Sequence, residues 1–156
     1  MPKSAEMIWL DALDHRDKGD FDSAIEAAKD VVHIDETHSD AWMGIATWSL
    51  PAPTRGKQID PTLEQSAKSI SALRKVVLIE PKNIEAWKIG GWLLADNLGM
   101  LEDALQWWEE YRNEYPNDVT PVIEQISILV RLGLYEECAE RLIELYDEDM
   151  DAPSNQ

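Results

Sequence analysis

Gly99-Met100-Leu101-Glu102-Asp103-Ala104 and Gly133-Leu134-Tyr135-Glu136-Glu137-Cys138 begin 34 residues apart and follow one pattern: glycine, any residue, a large apolar residue, an acidic residue, a polar residue and a small residue. Gly19-Asp20-Phe21-Asp22-Ser23-Ala24 repeats this pattern near the start of the chain. A fixed period of this length is typical of helical repeat proteins. The repetition therefore favours a binding scaffold over a protein built around a catalytic pocket.

The rest of the chain carries the spacing of amphipathic helices, with apolar residues at three- and four-residue steps. First helices are predicted at Ala5–Asp17, Asp40–Leu50, Ile84–Asn97 and Thr120–Leu132. A second helix is predicted after each of them, around 23–32, 70–77, 104–111 and 138–146. The three glycines of the repeated pattern lie where a helix must end, because glycine accepts the left-handed conformation needed there. The predicted fold class is all-α, with eight helices in about four helix-turn-helix repeats.

The second repeat is interrupted by a long loop. Segment 34–42 parallels segment 79–87, but the offset is 45 residues instead of 34. The additional residues fall in 50–62, where several prolines and Gly56 exclude a helix. We therefore predict one domain over 5–147, with repeats at about 5–38, 39–83, 84–118 and 119–147. Residues 148–156 are acidic and then polar, and we expect them to form a disordered tail.

The chain is strongly acidic, with 31 acidic and 14 basic residues and a formal net charge of −17. Such a charge repels nucleic acids and anionic membranes, so neither is expected as a partner. Simple solvation and attraction to a basic partner both account for the acidic excess. No apolar run reaches the roughly 18 residues of a membrane span, and no signal peptide is apparent. With a single cysteine, Cys138, these features predict a cytoplasmic protein.

No constellation of residues suited to catalysis or metal binding stands out. His33 and His38 are five residues apart across a helix end and do not share a face. Cys138 takes a close-packing position, which predicts a buried, small apolar group. Gly56-Lys57 lacks the upstream glycine and the following serine or threonine of a phosphate loop. We therefore expect no enzyme activity, no cofactor and no metal.

The repeated positions resemble the tetratricopeptide repeat, whose unit is a helix-turn-helix of 34 residues. The matching features are an aromatic in the first helix, a glycine at the turn, a small residue on the second helix and a proline after it. They are carried by Trp42 and Trp87, by Gly19, Gly99 and Gly133, by Ala24, Ala104 and Cys138, and by Pro81 and Pro116. The chain departs from the pattern at Glu36, where proline is expected, at Val122, where an aromatic is expected, and in the second repeat, which lacks the turn glycine.

The resemblance implies a right-handed α-solenoid whose first helices line a concave groove for an extended or helical peptide. Carried over position by position, it places these residues in the groove: Trp9, Leu13, Arg16, Met43, Thr47, Lys88, Trp92, Ile123, Ser127 and Arg131. The implied function is a protein–protein interaction scaffold or adaptor. Members that clamp the carboxyl termini of heat-shock chaperones use polar groove residues. Trp9 and Leu13 take two of those places here, so a chaperone tail is not expected.

Three of the groove residues, Arg16, Lys88 and Arg131, are cations in an acidic protein. One hypothesis is that they pair with carboxylates of a partner peptide that also carries apolar anchors. The alternative is that they are ordinary surface cations whose local ion pairs contribute under ~1 kcal/mol each. The tryptophans leave a similar choice. Trp42, Trp87 and Trp108 fall on packing positions, Trp9 and Trp92 suit either contact or core, and Trp107 is expected to be half-exposed.

Two further regions are open to a functional interpretation. The loop carries Arg55 and Lys57 and is either functional or a tolerated insertion. The last predicted helix places Cys138, Leu142, Leu145 and Tyr146 along one stripe, and any apolar surface left uncovered there would suit docking or self-association. The alternative function is therefore a structural subunit of a larger complex that docks through its end helices, with a homo-oligomer as one form.

Overall fold

The computed structural model describes residues 2–52 and 54–151, with side chains as far as Asp147. Over these residues the chain is all-α, and the predicted fold class of eight helices is confirmed. The helices are α1 Ala5–Asp17, α2 Phe21–Ile34, α3 Ser39–Trp48, α4 Leu63–Ile79, α5 Ile84–Trp92, α6 Leu101–Glu114, α7 Thr120–Leu132 and α8 Tyr135–Asp151. A short π-helical segment, Leu93–Asn97, follows α5.

The chain divides into two compact units, Met1–Gly99 and Met100–Gln156. The first unit contains α1 to α5 and the π-helical segment, and the second contains α6 to α8. The sequence predicted one domain over 5–147. The division falls between the two helices of the third predicted repeat, at the glycine that ends its first half.

Side chains that cap the helix starts explain where most helices of the first unit begin. Asp20 accepts a hydrogen bond from the Ser23 amide (3.1 Å) at the start of α2. Thr62 and Gln65 exchange hydrogen bonds in a capping box, so α4 begins at Leu63, before the apolar periodicity that predicted it. The imidazole Nδ1 of His38 accepts from the Ala41 amide (3.0 Å) and caps α3, a role that the sequence did not predict for histidine.

Small residues allow the helices of the first unit to pack closely. Ala12 of α1 and Ala24 and Ala28 of α2 are fully buried where these two antiparallel helices meet. In the next pair, Ala41 and Ile45 of α3 are buried, as are Leu73 and Val76 of α4. The small residue that the sequence placed at position 24 therefore lies in the core, as predicted.

In the second unit, α6 contributes most of the large core side chains. Trp107, Trp108 and Tyr111 are buried, together with Val122 and Ile128 of α7. The prediction that Trp107 is half-exposed was wrong. Positions 104, 107, 108 and 111 share one face of a 3.6-residue helix, so the buried face of α6 is wide enough to include both adjacent tryptophans.

The ends of α5 and α8 are among the helix ends that differ from the predicted bounds, as is α3, which was predicted as Asp40–Leu50 and spans Ser39–Trp48. The first helix of the third repeat loses its α-helical pattern after Trp92, and the Leu98 amide donates to the Leu93 carbonyl (2.9 Å) across five residues. At the other end of the chain, α8 continues to Asp151. Four residues of the predicted disordered tail are therefore helical, and the remainder, 152–156, lie outside the described residues.

No helix runs between Trp48 and Leu63 in the described part of the chain. Thr54 and Lys57 exchange two backbone hydrogen bonds (3.1 and 3.0 Å) and close a tight turn. Its central residues, Arg55 and Gly56, both have positive φ (54° and 74°). This combination is the signature of a type I′ turn.

Candidate functional site

The predicted groove residues of the first unit lie on its first helices, α1, α3 and α5. Their side chains fall into two groups by burial. The half-buried group is Trp9, Leu13, Met43, Thr47 and Trp92, and the exposed group is Arg16 and Lys88. In the second unit, Ile123, Ser127 and Arg131 are exposed on α7. The apolar members in the first unit are thus neither core nor fully solvated.

Trp9 is held by an aromatic cluster that joins α1 to α3. Its ring stacks on Trp48, with ring centroids 5.7 Å apart and an interplanar angle of 16°. It also meets the His38 ring at 5.2 Å in a tilted arrangement. The sequence left Trp9 open between contact and core, and the structure gives it both features: packed on one side and half-exposed on the other.

The predicted cations of the groove differ in their surroundings. Arg16 bonds the neighbouring Asp17 through both Nε (3.1 Å) and Nη2 (2.9 Å), so its charge is matched locally. Lys88 has no ion pair within the described residues. Lys88 and Trp92 lie four residues apart, on the same face of α5. Of the cations predicted for the first unit, Lys88 therefore has the charge that a partner's carboxylate could use.

A second groove, which the sequence did not predict, runs between the second helices α2 and α4 of the first unit. It has a volume of about 830 Å³, and its floor is formed by Trp42, Ile45 and Trp48 of α3. The first and last residues of the 50–62 loop, Leu50 and Thr62, also line this groove. The groove exists because α3 lies between α2 and α4 and holds them apart.

Trp42 is one of the aromatic residues on the floor of this second groove. It lines both the main cavity and a smaller one of about 440 Å³ farther along α2 and α4. Its Nε1 donates to the Glu36 carbonyl (2.9 Å), and the Lys75 ammonium lies 5.9 Å from its ring centroid. The sequence placed Trp42 at a packing position, but it is only half-buried. Trp87 makes the matching bond to the Pro81 carbonyl (2.7 Å) and is buried, as predicted.

Arg55 and Lys57 of the predicted loop are both exposed on the tight turn. The left-handed conformation of Arg55 is uncommon for a residue that carries a β-carbon. The structure therefore presents two basic side chains on this turn, one at its centre and one where it closes.

The last helix carries an uncovered apolar stripe. Cys138 is buried and Leu145 is half-buried, whereas Leu142 and Tyr146 are 50% and 64% exposed. Their exposed neighbours on the same stripe are Tyr135, Ala139 and Ile143. The sequence placed four residues on one stripe, and the structure divides them between the α7 contact and solvent. The predicted burial of Cys138 as a free thiol is confirmed.

The described residues contain no group of three or more histidine, cysteine, aspartate or glutamate side chains placed to hold a metal ion. Among the same residues, no helix combines the length and the apolar character of a membrane span.

Comparisons with solved structures identify the architecture. A crystal structure of MamA protein matches with a TM-score of 0.65 and 16% identity, over 94% of this chain and 73% of that chain. MamA from Desulfovibrio magneticus RS-1 matches with a TM-score of 0.61 and 16% identity, over 97% of this chain and 78% of its own. The first TPR of Spaghetti (RPAP3), bound to the HSP90 peptide SRMEEVD, matches with a TM-score of 0.54 and 18% identity, over 83% and 96%.

No protein-family model matches the chain, and no curated protein matches its sequence. At identities below one residue in five, the structural likeness establishes the fold and leaves the function to be argued from the residues. The eight helices and these likenesses agree with the resemblance that rests on the repeated glycine pattern. The chain therefore has a tetratricopeptide-repeat-like, α-solenoid fold.

Proposed function

We propose that this chain is a non-catalytic protein–protein interaction scaffold that holds an extended or helical segment of a partner against its first helices. The observation that carries the proposal is that Lys88 and Trp92 lie on the same face of α5. A cation without an ion pair in the described chain lies one turn from a half-buried aromatic. Such a surface suits a peptide with an apolar anchor and a nearby carboxylate.

Other side chains of the first unit extend this surface. Trp9, Leu13, Met43 and Thr47 are half-buried on α1 and α3, so a ligand would cover apolar atoms without first displacing a packed core. In the second unit, Ile123, Ser127 and Arg131 are exposed on α7, and we propose them as partner contacts of that unit. The TPR neighbour supports this class of ligand, because the peptide named with it, SRMEEVD, combines acidic residues with methionine.

The proposal also includes a cytoplasmic location and the exclusion of nucleic acid and membrane as partners. One buried free thiol suits a reducing compartment, and we place the scaffold in the cytoplasm. The net charge of −17 opposes binding to nucleic acid or to anionic lipid. No cofactor is required by a scaffold that acts through contact alone.

Affinity capture with quantitative mass spectrometry tests the groove. Wild type is compared with Trp92→Ala and with Lys88→Glu, and each variant has a control that makes a similar change on a second helix. Leu63→Ala removes an exposed apolar side chain from α4, and Lys68→Glu reverses an exposed charge on the same helix. A partner that is lost with the first two variants and kept by both controls supports the groove. Equal recovery with all four variants contradicts it.

A second candidate function is a structural subunit that docks through its end helices, including a homo-oligomer. The exposed apolar stripe on α8 favours this function. Leu142, Ile143 and Tyr146 lie close together on the helix, and they are 50%, 60% and 64% exposed. Light scattering at tens of micromolar tests self-association. An assembled mass that becomes monomeric in Leu142→Gln/Ile143→Gln, but not in Leu10→Gln/Leu63→Gln, supports docking of a second copy through α8. A monomeric wild type contradicts self-association through α8.

A further inference from the structure

The exposed face of α8 combines apolar side chains with carboxylates beside them. Leu142, Ile143 and Tyr146 are exposed on the apolar stripe. Glu140 lies three residues before Ile143 and Asp147 lies four residues after it, so both are its neighbours on the helix surface. These two carboxylates are exposed and make no ion pair within the described residues. An amphipathic helix with apolar anchors at these steps has the pattern of a ligand that lies in a groove.

Charge opposes contact between this face and α8 of another copy. Residues 135–151 hold eight acidic residues and one basic residue, a net charge of −7. Two such helices brought together would place carboxylates opposite carboxylates, and like charges across an interface disfavour association. The α8 face therefore needs a partner surface that is apolar and carries positive charge.

The groove between α2 and α4 does not meet this need. Its lining includes three carboxylates, those of Asp22, Glu26 and Glu64, and two ammonium groups, those of Lys29 and Lys68. Each lysine already pairs with a carboxylate on its own helix, Lys29 with Glu26 (3.2 Å) and Lys68 with Glu64 (3.1 Å). An acidic helix that entered this groove would meet a net negative lining.

The groove formed by the first helices α1, α3 and α5 does meet it. Residues 55–88, which end at Lys88, hold seven basic and four acidic residues, a net charge of +3 in a chain whose total is −17. Lys88 is exposed without an ion pair in the described part of the chain, and the half-buried Trp92 lies one turn away. None of the groove residues predicted for this unit is acidic. A cation beside an aromatic on α5 thus complements a carboxylate beside an aliphatic side chain on α8.

We propose that the first-helix groove of one copy binds the exposed face of α8 of a second copy. The inference rests on the groove of the proposed function and names its occupant. In this contact Leu142, Ile143 and Tyr146 cover the half-buried apolar side chains around Trp92, and a carboxylate of the same face pairs with Lys88. Because the two surfaces differ, the contact is heterologous, so assembly continues past a dimer unless a ring closes.

Sedimentation velocity of the full chain at tens of micromolar tests the contact by charge reversal. Wild type should assemble. Lys88→Glu and Glu140→Lys/Asp147→Lys should each weaken assembly by about tenfold, because each places like charges opposite one another. A chain that carries all three substitutions has opposite charges again and should assemble like wild type.

Matched controls reverse the same charges on other surfaces. Lys68→Glu and Asp30→Lys/Asp60→Lys change exposed residues outside the groove and outside α8, so both should assemble like wild type. All of these positions are exposed, and circular dichroism verifies that each variant keeps its helices.

Mixing distinguishes this contact from one between two α8 helices. Lys88→Glu keeps a wild-type α8, and Glu140→Lys/Asp147→Lys keeps a wild-type groove, so an equimolar mixture should assemble although each variant alone does so weakly. Normal assembly of Lys88→Glu alone, no assembly in the mixture, or no recovery in the chain with all three substitutions would overturn the proposal.

The proposed scaffold and its self-docking can fail separately. A monomeric wild type overturns the docking of α8 in the groove. The capture experiment with Trp92→Ala still judges the groove, because a different protein that is lost with that variant shows that the groove has another occupant. If assembly follows the charge reversals but no other protein is captured, the groove serves contacts between copies of this chain.

Discussion

The indole ring of Trp48 occupies the space that a β-carbon of Gly44 would need, one helical turn earlier on α3. A β-carbon added at position 44 would come within 2.8 Å of the ring, closer than such atoms approach in folded proteins. The same ring stacks on Trp9. Gly44 therefore allows α3 to keep Trp48 folded back along its own surface, where it supports the aromatic cluster between α1 and α3.

This relationship predicts that Gly44→Ala is destabilising, although alanine is the better helix former by about 1 kcal/mol. The ring must move to admit the methyl group, and overpacking of this kind costs about 1–3 kcal/mol. Urea unfolding followed by circular dichroism measures the change in free energy. In a Trp48→Leu background the smaller side chain leaves room for the methyl group, so the same substitution should be neutral or stabilising there. A stabilising Gly44→Ala in the wild-type background would refute the packing argument.

The indole hydrogen bonds of Trp42 and Trp87 predict unequal costs for the same substitution. Each indole donates to the carbonyl six residues earlier, at Glu36 and Pro81 respectively. Trp87 is buried, so Trp87→Phe leaves its acceptor without a donor, at about 1–3 kcal/mol in addition to lost packing. Trp42 is half-buried, so water can replace its bond and Trp42→Phe should cost less. Chemical denaturation of the two variants compares them, and equal losses would count against this account.

Tyr111 and Asp118 predict a loss of stability at alkaline pH. The buried Tyr111 hydroxyl donates to Asp118, which also accepts from the Thr120 amide (2.9 Å) at the start of α7. Burial, followed by the hydrogen bond to Asp118, raises the Tyr111 pKa well above its ordinary value. A raised pKa means that the folded chain holds this proton more tightly, so its contribution is fully present below about pH 10 and is lost above it.

Tyr111→Phe should therefore destabilise the chain by about 1.5–3 kcal/mol at neutral pH, because a hydrogen bond to a charged group is lost. It should also weaken the alkaline loss of stability. Unfolding measured in urea at neutral pH and again near pH 10.5 gives both effects. The same pH dependence in wild type and in Tyr111→Phe would show that the loss arises elsewhere.

Two aspartates of the first unit predict a loss of stability in acid. Hydrogen bonds from Ser23 lower the pKa of Asp20, and hydrogen bonds from Thr37 lower the pKa of Asp35. A lowered pKa stabilises the fold above the unfolded value of about 3.9, and this contribution is lost as the pH falls through the folded pKa. Asp20→Asn keeps an acceptor at the start of α2 but does not titrate. Its stability should therefore change less between pH 7 and pH 3 than that of wild type, with Asp60→Asn as the control.

The positive φ of Arg55 predicts that a residue better suited to this conformation will stabilise the fold. Arg55 and Gly56 both have positive φ, and asparagine followed by glycine is the preferred pair for such a turn. Arg55→Asn should raise the stability by about 0.5–1 kcal/mol, and Gly56→Ala should lower it by a similar amount. Thermal unfolding measures both. If Arg55→Asn instead reduces partner capture while the stability rises, the strained arginine is kept for binding.

The sequence predicted the helices well where the period and the end signals agreed. The predicted bounds of α1 and α7, Ala5–Asp17 and Thr120–Leu132, are those of the structure. Ser4 caps the start of α1, and Gly133 follows the end of α7, so each of these bounds is marked by an adjacent residue. The start of α4 was placed too late, because the capping box at Thr62 and Gln65 precedes the apolar periodicity. Trp107 was expected to be half-exposed because the prediction assumed a narrow buried stripe on α6. The helix buries a wider face that includes both adjacent tryptophans.

The burial of individual side chains carried weaker signals. Gln125 occupies an apolar step of α7 between Val122 and Leu129, and this position was the signal of its burial. Trp42 was predicted to pack in the core because its position in the repeat is a packing position. Whether α2 and α4 close over it depends on the helix between them, and no local pattern encodes that separation.

The order and type of the helices, the turns that end them and the acidic character of the chain were determined by the sequence alone. These features depend on residues within a few positions of each other and on the summed charge. Tertiary structure decided which side chains remain uncovered, among them the stripe on α8 and the tryptophan in the α2–α4 groove. Burial depends on the surfaces of helices that meet from distant parts of the chain, and a periodic pattern describes one surface at a time.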